Sequence, residues 1–246
     1  AINADGSVSA FFGKMDMGQG LYVSIGQMVA EELDVAFERV TVYMADTRTS
    51  VNQGGASGST GLQSGGKQMR AASAEARRVL VEMAAEKALG LAPDLPQAHT
   101  ALACIYCFQW QWALAWEHFQ RALELAPNDA DIYHFYADWL GATGRPEEAI
   151  AAASRAVELD PLVPIFLNGK ANALFWQGRV DEAIEIRQAA FGLAPDLQMT
   201  SNNLFGTYVF ARRLDEAEAL LDQTRATALA RAARDPAWDE KQDPQR

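Results

Sequence analysis

A repeat of 34 residues constrains the fold of this 246-residue chain more than any other feature of its sequence. Proline recurs at this interval, and alanine recurs at the same interval in two further registers. The repeated positions are Pro93, Pro127, Pro161 and Pro195; Ala115, Ala149, Ala183 and Ala217; and Ala88, Ala122, Ala156 and Ala190. Self-similarity at such a period indicates a repeat architecture, in which each unit buries its apolar face against the next.

Each repeat predicts two helices joined by a tight turn. Small alanines allow the two helix backbones to approach closely. Gly144 and Gly178 stand at the expected turns, where glycine permits a positive φ. Trp110, Trp112 and Trp116 are expected to form one packing cluster across the first repeat. Because one helical pair cannot bury its apolar face alone, successive pairs are expected to stack into a solenoid with an inner groove.

These features resemble the tetratricopeptide repeat (TPR) family, whose period is also 34 residues. The first copy matches the family signature at Leu102, Tyr106, Ala115, Phe119, Ala122 and Pro127. The copies span residues 96–129, 130–163, 164–197 and, in degenerate form, 198–231. The resemblance predicts a mainly α fold, a TPR helix-turn-helix solenoid of three to four repeats. It covers residues 91–231 and is followed by a polar tail over residues 232–246.

In the TPR family, five positions of each first helix line the groove. Carried onto this chain, these positions contain no lysine or arginine, so capture of an acidic peptide C-terminus is disfavoured. The candidate groove residues are His134, Asn168, Asn172, Phe175, Trp176, Asn202 and Phe210. Amide side chains suit hydrogen bonding to a peptide backbone, and aromatic side chains suit apolar anchoring. The alternative is that the aromatic residues only pack against the next repeat.

The resemblance implies a non-enzymatic scaffold that binds a protein or peptide partner, either as an extended segment or as a packed helix. The partner is expected to be uncharged or basic rather than an acidic C-terminus. No cofactor and no metal are expected for this function. Cys104 and Cys107 lie inside a predicted helix without further ligands at suitable spacing, which favours two groove-wall residues over a metal or redox site.

Residues 1–90 have a different pattern, which predicts a small α/β fragment that ends in a capping helix. The predicted elements are strands near Ser7–Met15 and Arg39–Ala45, a helix near Leu21–Leu33, a glycine- and serine-rich loop over Asn52–Gly66, and a helix from about Gln68 to Leu89. A glycine turn precedes the first helix. Glycines let a backbone approach a ligand, and the N–H groups of a helix N-terminus suit an anion.

The order of the motifs in this half is more specific than the turn alone. Gly18-Gln19-Gly20, Ala45-Asp46-Thr47 and Gln53-Gly-Gly-Ala-Ser-Gly-Ser59 follow one another within residues 2–88. This stretch resembles the molybdopterin-binding subunit of the xanthine dehydrogenase/aldehyde oxidase family. The resemblance implies that a molybdopterin dinucleotide would be held by Gln19, Gly20, Ala56, Ser57 and Ser59.

The same resemblance sets the alternative function: a fragment of a molybdenum hydroxylase subunit that contributes molybdopterin contacts. The family's catalytic glutamate lies far downstream and has no matching motif here, so no catalytic residue is assigned. Hydroxylation also needs a buried pocket and a positioned base. A genuine fusion and a sequence artefact both remain open as the origin of the junction with the repeats.

The composition excludes other classes of protein. A formal net charge of −11 argues against nucleic-acid binding, which normally requires a basic face. No apolar run approaches the roughly 18 residues of a membrane span. Two cysteines cannot form a disulfide framework. No targeting segment is visible and the N-terminus looks truncated, so a cytoplasmic protein is expected.

Overall fold

The computed structural model describes residues 1–44, 46, 48–54 and 61–232. The chain divides into two compact units, Ala1–Leu91 and Ala92–Arg246. The predicted polar tail lies outside the described residues from residue 233 onward. Within the described part of the chain, no helix combines the length and the apolar composition that crossing a membrane requires.

The first unit contains a strand–helix–strand motif. Strand β1 (Val8–Phe12) leads through the glycine turn to helix α1 (Leu21–Leu33), and the chain returns in strand β2 (Val40–Met44). The strands pair in parallel, with Val8 opposite Val40. A parallel pair needs a crossover connection, and α1 supplies it. The core consists of Val8, Ala10, Phe12, Leu21, Ile25, Val29, Ala30, Val40 and Val42.

Helical structure begins earlier after β2 than the sequence predicts. The glycine- and serine-rich loop was expected to continue to Gly66, but a π-helical segment, Gly61–Gly66, runs directly into α2 (Lys67–Leu91). The reason is packing. A Cβ atom at Gly65 would lie 2.5 Å from the Phe12 ring, and one at Gly61 would lie 2.9 Å from Leu21. These glycines therefore permit a close approach to the core.

The second unit consists, over residues 92–232, of helical pairs. The helices are α3 (Pro96–Phe108), α4 (Trp112–Leu125), α5 (Ala130–Ala142), α6 (Pro146–Leu159), α7 (Pro164–Trp176), α8 (Val180–Leu193), α9 (Gln198–Phe210) and α10 (Leu214–Ala232). The first helices start at residues 96, 130, 164 and 198, which keeps the 34-residue interval. Each first helix packs against its own second helix and against the next first helix. The predicted mainly α, helix-turn-helix solenoid is confirmed.

Alanine side chains lie at the closest contacts inside the helical pairs. Ala115, Ala149, Ala183 and Ala217 are all buried. One predicted cluster is divided, however. Trp116 stacks on Trp139 with a centroid separation of 5.3 Å, whereas Trp110 makes an edge contact of 5.4 Å with Trp112 and remains 76% exposed. Trp110 lies at the turn after α3, where its φ is +61°.

Candidate functional site

The groove face is the side of α3, α5, α7 and α9 that carries the candidate groove residues. Its aromatic residues lie mainly at the surface. Trp176 is 83% exposed and Phe210 is 66% exposed. Phe175 is half-buried between them, with its ring centroid 4.8 Å from that of Phe210 and 5.5 Å from that of Trp176. Packing against the next repeat therefore leaves most of the surface of the Trp176 and Phe210 rings exposed.

The amide residues occupy different environments. Asn172 is half-buried, and Asn202 is exposed on α9. Asn168 is buried; its Nδ2 donates to the Pro164 carbonyl oxygen at 3.0 Å, and its Oδ1 accepts from Asn203 Nδ2 at 3.3 Å. Asn168 thus joins α7 to α9, so its amide already has hydrogen-bond partners within the protein.

His134 is also buried, at the contact between α5 and α7. Its ring centroid lies 5.5 Å from that of Phe166. Gly169 makes room for it, because a Cβ there would lie 2.7 Å from His134 Nδ1. The structure therefore brings Asn172, Phe175, Trp176 and Phe210 together and places His134 between helices.

Behind these residues lies a cation that was not among the predicted groove residues, because those were all taken from first helices. Arg187 belongs to the second helix α8, and it is only 6% exposed. Its Nη2 donates to Asn172 Oδ1 at 2.6 Å, and its Nη1 donates to the Asn203 carbonyl oxygen at 3.2 Å and to Thr207 Oγ1. The guanidinium carbon lies 5.3 Å from the centre of the Phe175 ring.

The repeat pattern of the sequence could have identified Arg187 as an unusual residue. The equivalent residues one and two periods earlier are Ala153 and Phe119, and both are buried. An arginine in this register is therefore placed where the repeat buries apolar side chains. Burial lowers the pKa of Arg187 from its ordinary value.

The part of the groove face nearer the first repeat contains a carboxyl group and two thiols instead of a buried cation. Exclusion of water raises the pKa of Asp138 on α5, although nearby His134 lowers it. Burial and neighbouring groups, including Asp138, raise the pKa of Cys104 to about 12 and that of Cys107 to about 11. Both thiols are therefore protonated at neutral pH. Among the described residues, no group of three or more His, Cys, Asp or Glu side chains is arranged to hold a metal ion.

In the first unit, the turn predicted to hold the cofactor, Gly18-Gln19-Gly20, is exposed, and its glutamine is hydrogen-bonded within the turn. Gly18 and Gly20 have φ values of +97° and +74°, and among the described residues, their chain neighbours aside, no atom lies within 4 Å of the place where a side chain would start. Gln19 is exposed; its Oε1 accepts from Met17 N at 2.6 Å, and its Nε2 donates to the Met15 carbonyl oxygen at 3.2 Å. The remaining predicted contacts, Ala56, Ser57 and Ser59, lie outside the described residues.

Asp16 occupies the place where an anion would bind at this turn. Its carboxylate accepts from the backbone N–H groups of Gly18 and Tyr22, each at 2.9 Å. These hydrogen bonds, that from Tyr22 foremost, lower the pKa of Asp16, so its carboxyl group is ionised at neutral pH. The chain's own carboxylate thus already accepts from two backbone donors of this turn, one of them in the first turn of α1, and its negative charge would repel a phosphate group placed there.

Helical pairs that repeat every 34 residues define a TPR array, and the sequence model of the tetratricopeptide repeat matches residues 137–197. Among solved structures, PilW, described as a widely conserved type IV pilus biogenesis factor, has a TM-score of 0.55 at 24% identity. That similarity covers 62% of this chain and 70% of PilW. MamA has a TM-score of 0.52 at 17% identity and covers 67% of this chain and 96% of its own. At such identities the likeness concerns the fold alone.

The chain belongs to the molybdopterin cofactor-binding domain family, whose sequence model matches residues 1–163. One of the subunits of nicotinate dehydrogenase from Pseudomonas putida is 41% identical over 95 residues, which is 39% of this chain. The chain spans only 8% of the length of that relative. Both resemblances seen in the sequence are thus confirmed. The family match continues through α3 to α6, although these helices keep the TPR spacing.

Proposed function

We propose that the helical array is a non-enzymatic scaffold that binds a protein partner on its groove face, as an extended peptide segment or as a packed helix. The observation that carries this proposal is the exposure of Trp176 and Phe210, two large aromatic side chains one period apart on neighbouring first helices. Phe108 lies at the same repeat position and is equally exposed. Aromatic residues are frequent anchors of protein interfaces, and repeated exposed aromatics indicate a surface that a partner covers.

The partner segment is proposed to be uncharged or basic where it passes α3 and α5. Asp131 and Asp138 lie on α5, and no lysine or arginine stands at the groove positions of these two helices. Opposite charge would steer such a segment toward this part of the face. Asn172 and Asn202 are proposed to bond the peptide backbone, while His134 and Asn168 hold the underlying helices in place.

Selection from a random peptide library tests the scaffold function. Peptides that bind the full chain are expected to lose affinity at least about tenfold, ~1.4 kcal/mol, when Trp176→Ala and Phe210→Ala are combined. Asn172→Ala with Asn202→Ala is expected to weaken the same peptides. Leu162→Ala is the matched control, because Leu162 is an exposed apolar residue in the turn before α7. Equal affinity for all variants would refute binding on the groove face.

A second candidate function is favoured by the family match: a fragment of a molybdenum hydroxylase that contributes molybdopterin contacts. The Asp16 carboxylate opposes it. Metal analysis and visible absorption of the purified chain distinguish the scaffold from the hydroxylase fragment. Stoichiometric molybdenum with a pterin chromophore would favour the hydroxylase fragment. The cytoplasmic location stays a prediction.

A further inference from the structure

Arg187 has no acidic partner among the described residues. All three of its hydrogen-bond acceptors are neutral: Asn172 Oδ1, the Asn203 carbonyl oxygen and Thr207 Oγ1. Its Nε is buried and has no hydrogen-bond partner in the described part of the chain. A buried charge without a counter-charge destabilises the fold, and one unsatisfied donor adds to that effect.

Arginines elsewhere in the array differ in this respect. Arg145, Arg179 and Arg213 each bond a glutamate three residues further along the chain and are more exposed than Arg187. Arg155 bonds both Glu158 and the side-chain oxygen of Asn128. These four exposed or half-buried arginines therefore have glutamate partners, whereas the buried Arg187, behind the groove face, has no acidic partner in the described part of the chain.

We propose that Arg187 binds the side-chain carboxylate of an aspartate or glutamate in the segment captured on the groove face. This inference rests on the scaffold function proposed above and adds the chemistry of one ligand group to it. The Nε and Nη2 hydrogens of a guanidinium point to the same side, and a carboxylate binds that edge with two parallel hydrogen bonds. Within the ranges that the structure describes, Nε has no hydrogen-bond partner, and Nη2 donates to the amide oxygen of Asn172.

Two half-buried side chains connect Arg187 to the groove face. Phe175 contacts the guanidinium and also the exposed rings of Trp176 and Phe210, and the Oδ1 of Asn172 accepts from Nη2. In the proposed complex the carboxylate replaces the Asn172 amide on Nη2, while Nη1 keeps its bonds to α9. The Phe175 ring over the guanidinium keeps water from that face of it, which strengthens its attraction to a carboxylate.

The chemistry favours a single side-chain carboxylate over other anions. Arg187 is one cation, and the groove positions of the first helices add no lysine or arginine to it. A phosphate group or a tightly clamped chain terminus would need further positive charges. An acidic residue within an otherwise uncharged or basic segment needs one guanidinium, and the amides and rings nearby suit the rest of such a segment.

Asn172→Asp tests the inference because it changes one atom and supplies an internal carboxylate to Arg187. We expect the thermal midpoint of unfolding to rise by several degrees, since the buried charge gains a partner. Asn128→Asp is the matched control: it makes the same change beside Arg155, which is already paired and lies at the surface. There the midpoint should change little. A fall in the midpoint of Asn172→Asp would overturn the claim that Arg187 lacks a counter-charge.

Peptide binding provides a second test of the proposed contact between Arg187 and a carboxylate. The probe is a random dodecapeptide library fused at its C-termini, so that it presents no free terminal carboxylate. We expect selected peptides to share an aspartate or glutamate, and its replacement by the amide to weaken binding to the full chain by about tenfold. For the Asn172→Asp chain the same replacement should change affinity less than about twofold, because Arg187 is already neutralised.

Each outcome distinguishes the two proposals. Peptides that bind equally well with and without the carboxylate, yet depend on Trp176 and Phe210, overturn the role of Arg187 and leave the scaffold function standing. Peptides whose binding depends neither on the aromatic residues nor on the peptide carboxylate overturn both proposals.

Discussion

At the turn inside each repeat, one residue adopts a left-handed backbone conformation. Gly144 and Gly178 do so with φ values of +77° and +75°. Trp110 and Arg212 occupy the same repeat position at +61° and +58°. Because a side chain disfavours this region, two of the four turns are strained. Glycine indicates two of these turns in the sequence, whereas the positive φ values of Trp110 and Arg212 are known only from the structure.

Alanine substitution at glycine should therefore have opposite effects at two places. Gly144→Ala is expected to lower the free energy of unfolding by about 1 kcal/mol, because alanine must adopt the left-handed conformation. Gly206→Ala is expected to raise it by roughly 0.5–1 kcal/mol. Gly206 lies inside α9, and in the described part of the chain no atom outside the helix's own backbone and the neighbouring residues stands within 4 Å of its added Cβ. Denaturant unfolding of both variants checks the signs, and equal effects would contradict the assignment of the turn.

A hydrogen bond joins the two histidine rings of the first repeat. His99 Nδ1 lies 2.9 Å from His118 Nδ1, and His99 Nε2 lies 3.0 Å from the Pro93 carbonyl oxygen. Since a carbonyl oxygen only accepts, a neutral His99 ring donates through Nε2 and accepts through Nδ1, and His118 is then the donor between the rings. Burial, and then the charge of His99, lower the pKa of His118 below its ordinary value of 6.5, against the effect of Glu117.

This pair predicts a loss of stability in weak acid. Below pH 6.5 the unfolded chain binds a proton at His118 before the folded chain does, so the free energy of unfolding falls as the pH falls. Thermal unfolding between neutral pH and about pH 5 measures the effect. In His118→Gln this contribution is absent, and the stability difference between the two chains should shrink toward acidic pH. A difference that is constant with pH would rule the effect out.

At the scale of helices, the closeness of each pair depends on alanine. Ala183 on α8 is fully buried against α7, whereas Ala189 on the same helix is exposed. Ala183→Leu adds volume where no space exists and is expected to destabilise the array by about 1–3 kcal/mol. Ala189→Leu makes the same change at the surface and is expected to stay within about 0.5 kcal/mol of the parent. Chemical denaturation of the two variants compares them directly; similar losses would show that helix propensity rather than packing is responsible.

Helix positions were largely predictable because they depend on local pattern. Helix α1 spans Leu21–Leu33 as predicted, and the starts of the first helices follow the period. The π-helical segment Gly61–Gly66 was not predictable, since glycine and serine ordinarily indicate a loop. Its glycines are needed for contact with Phe12 and Leu21, which lie about 40 or more residues away in the chain.

At the scale of the whole molecule, the chain has two compact units, and each has a core of its own. Residues 92–232 expressed alone are expected to show helical circular dichroism and to unfold cooperatively, because repeat arrays are stabilised by contacts between neighbouring repeats. The thermal midpoint should match that of the helical transition in the full chain. Aggregation or gradual melting of the fragment would show that the array needs residues 1–91.

Residue spacing alone was enough to predict the helical pairs, their period, the two family resemblances and the aromatic and amide residues of the groove face. Which of these side chains are free to bind a partner depended on how the chain folds. The tertiary structure buried Asn168 and His134 between helices, placed the Asp16 carboxylate at the start of α1 and set Arg187 behind Asn172. The physical reason is that the burial, charge and hydrogen bonding of a side chain depend on neighbours that are distant in the chain.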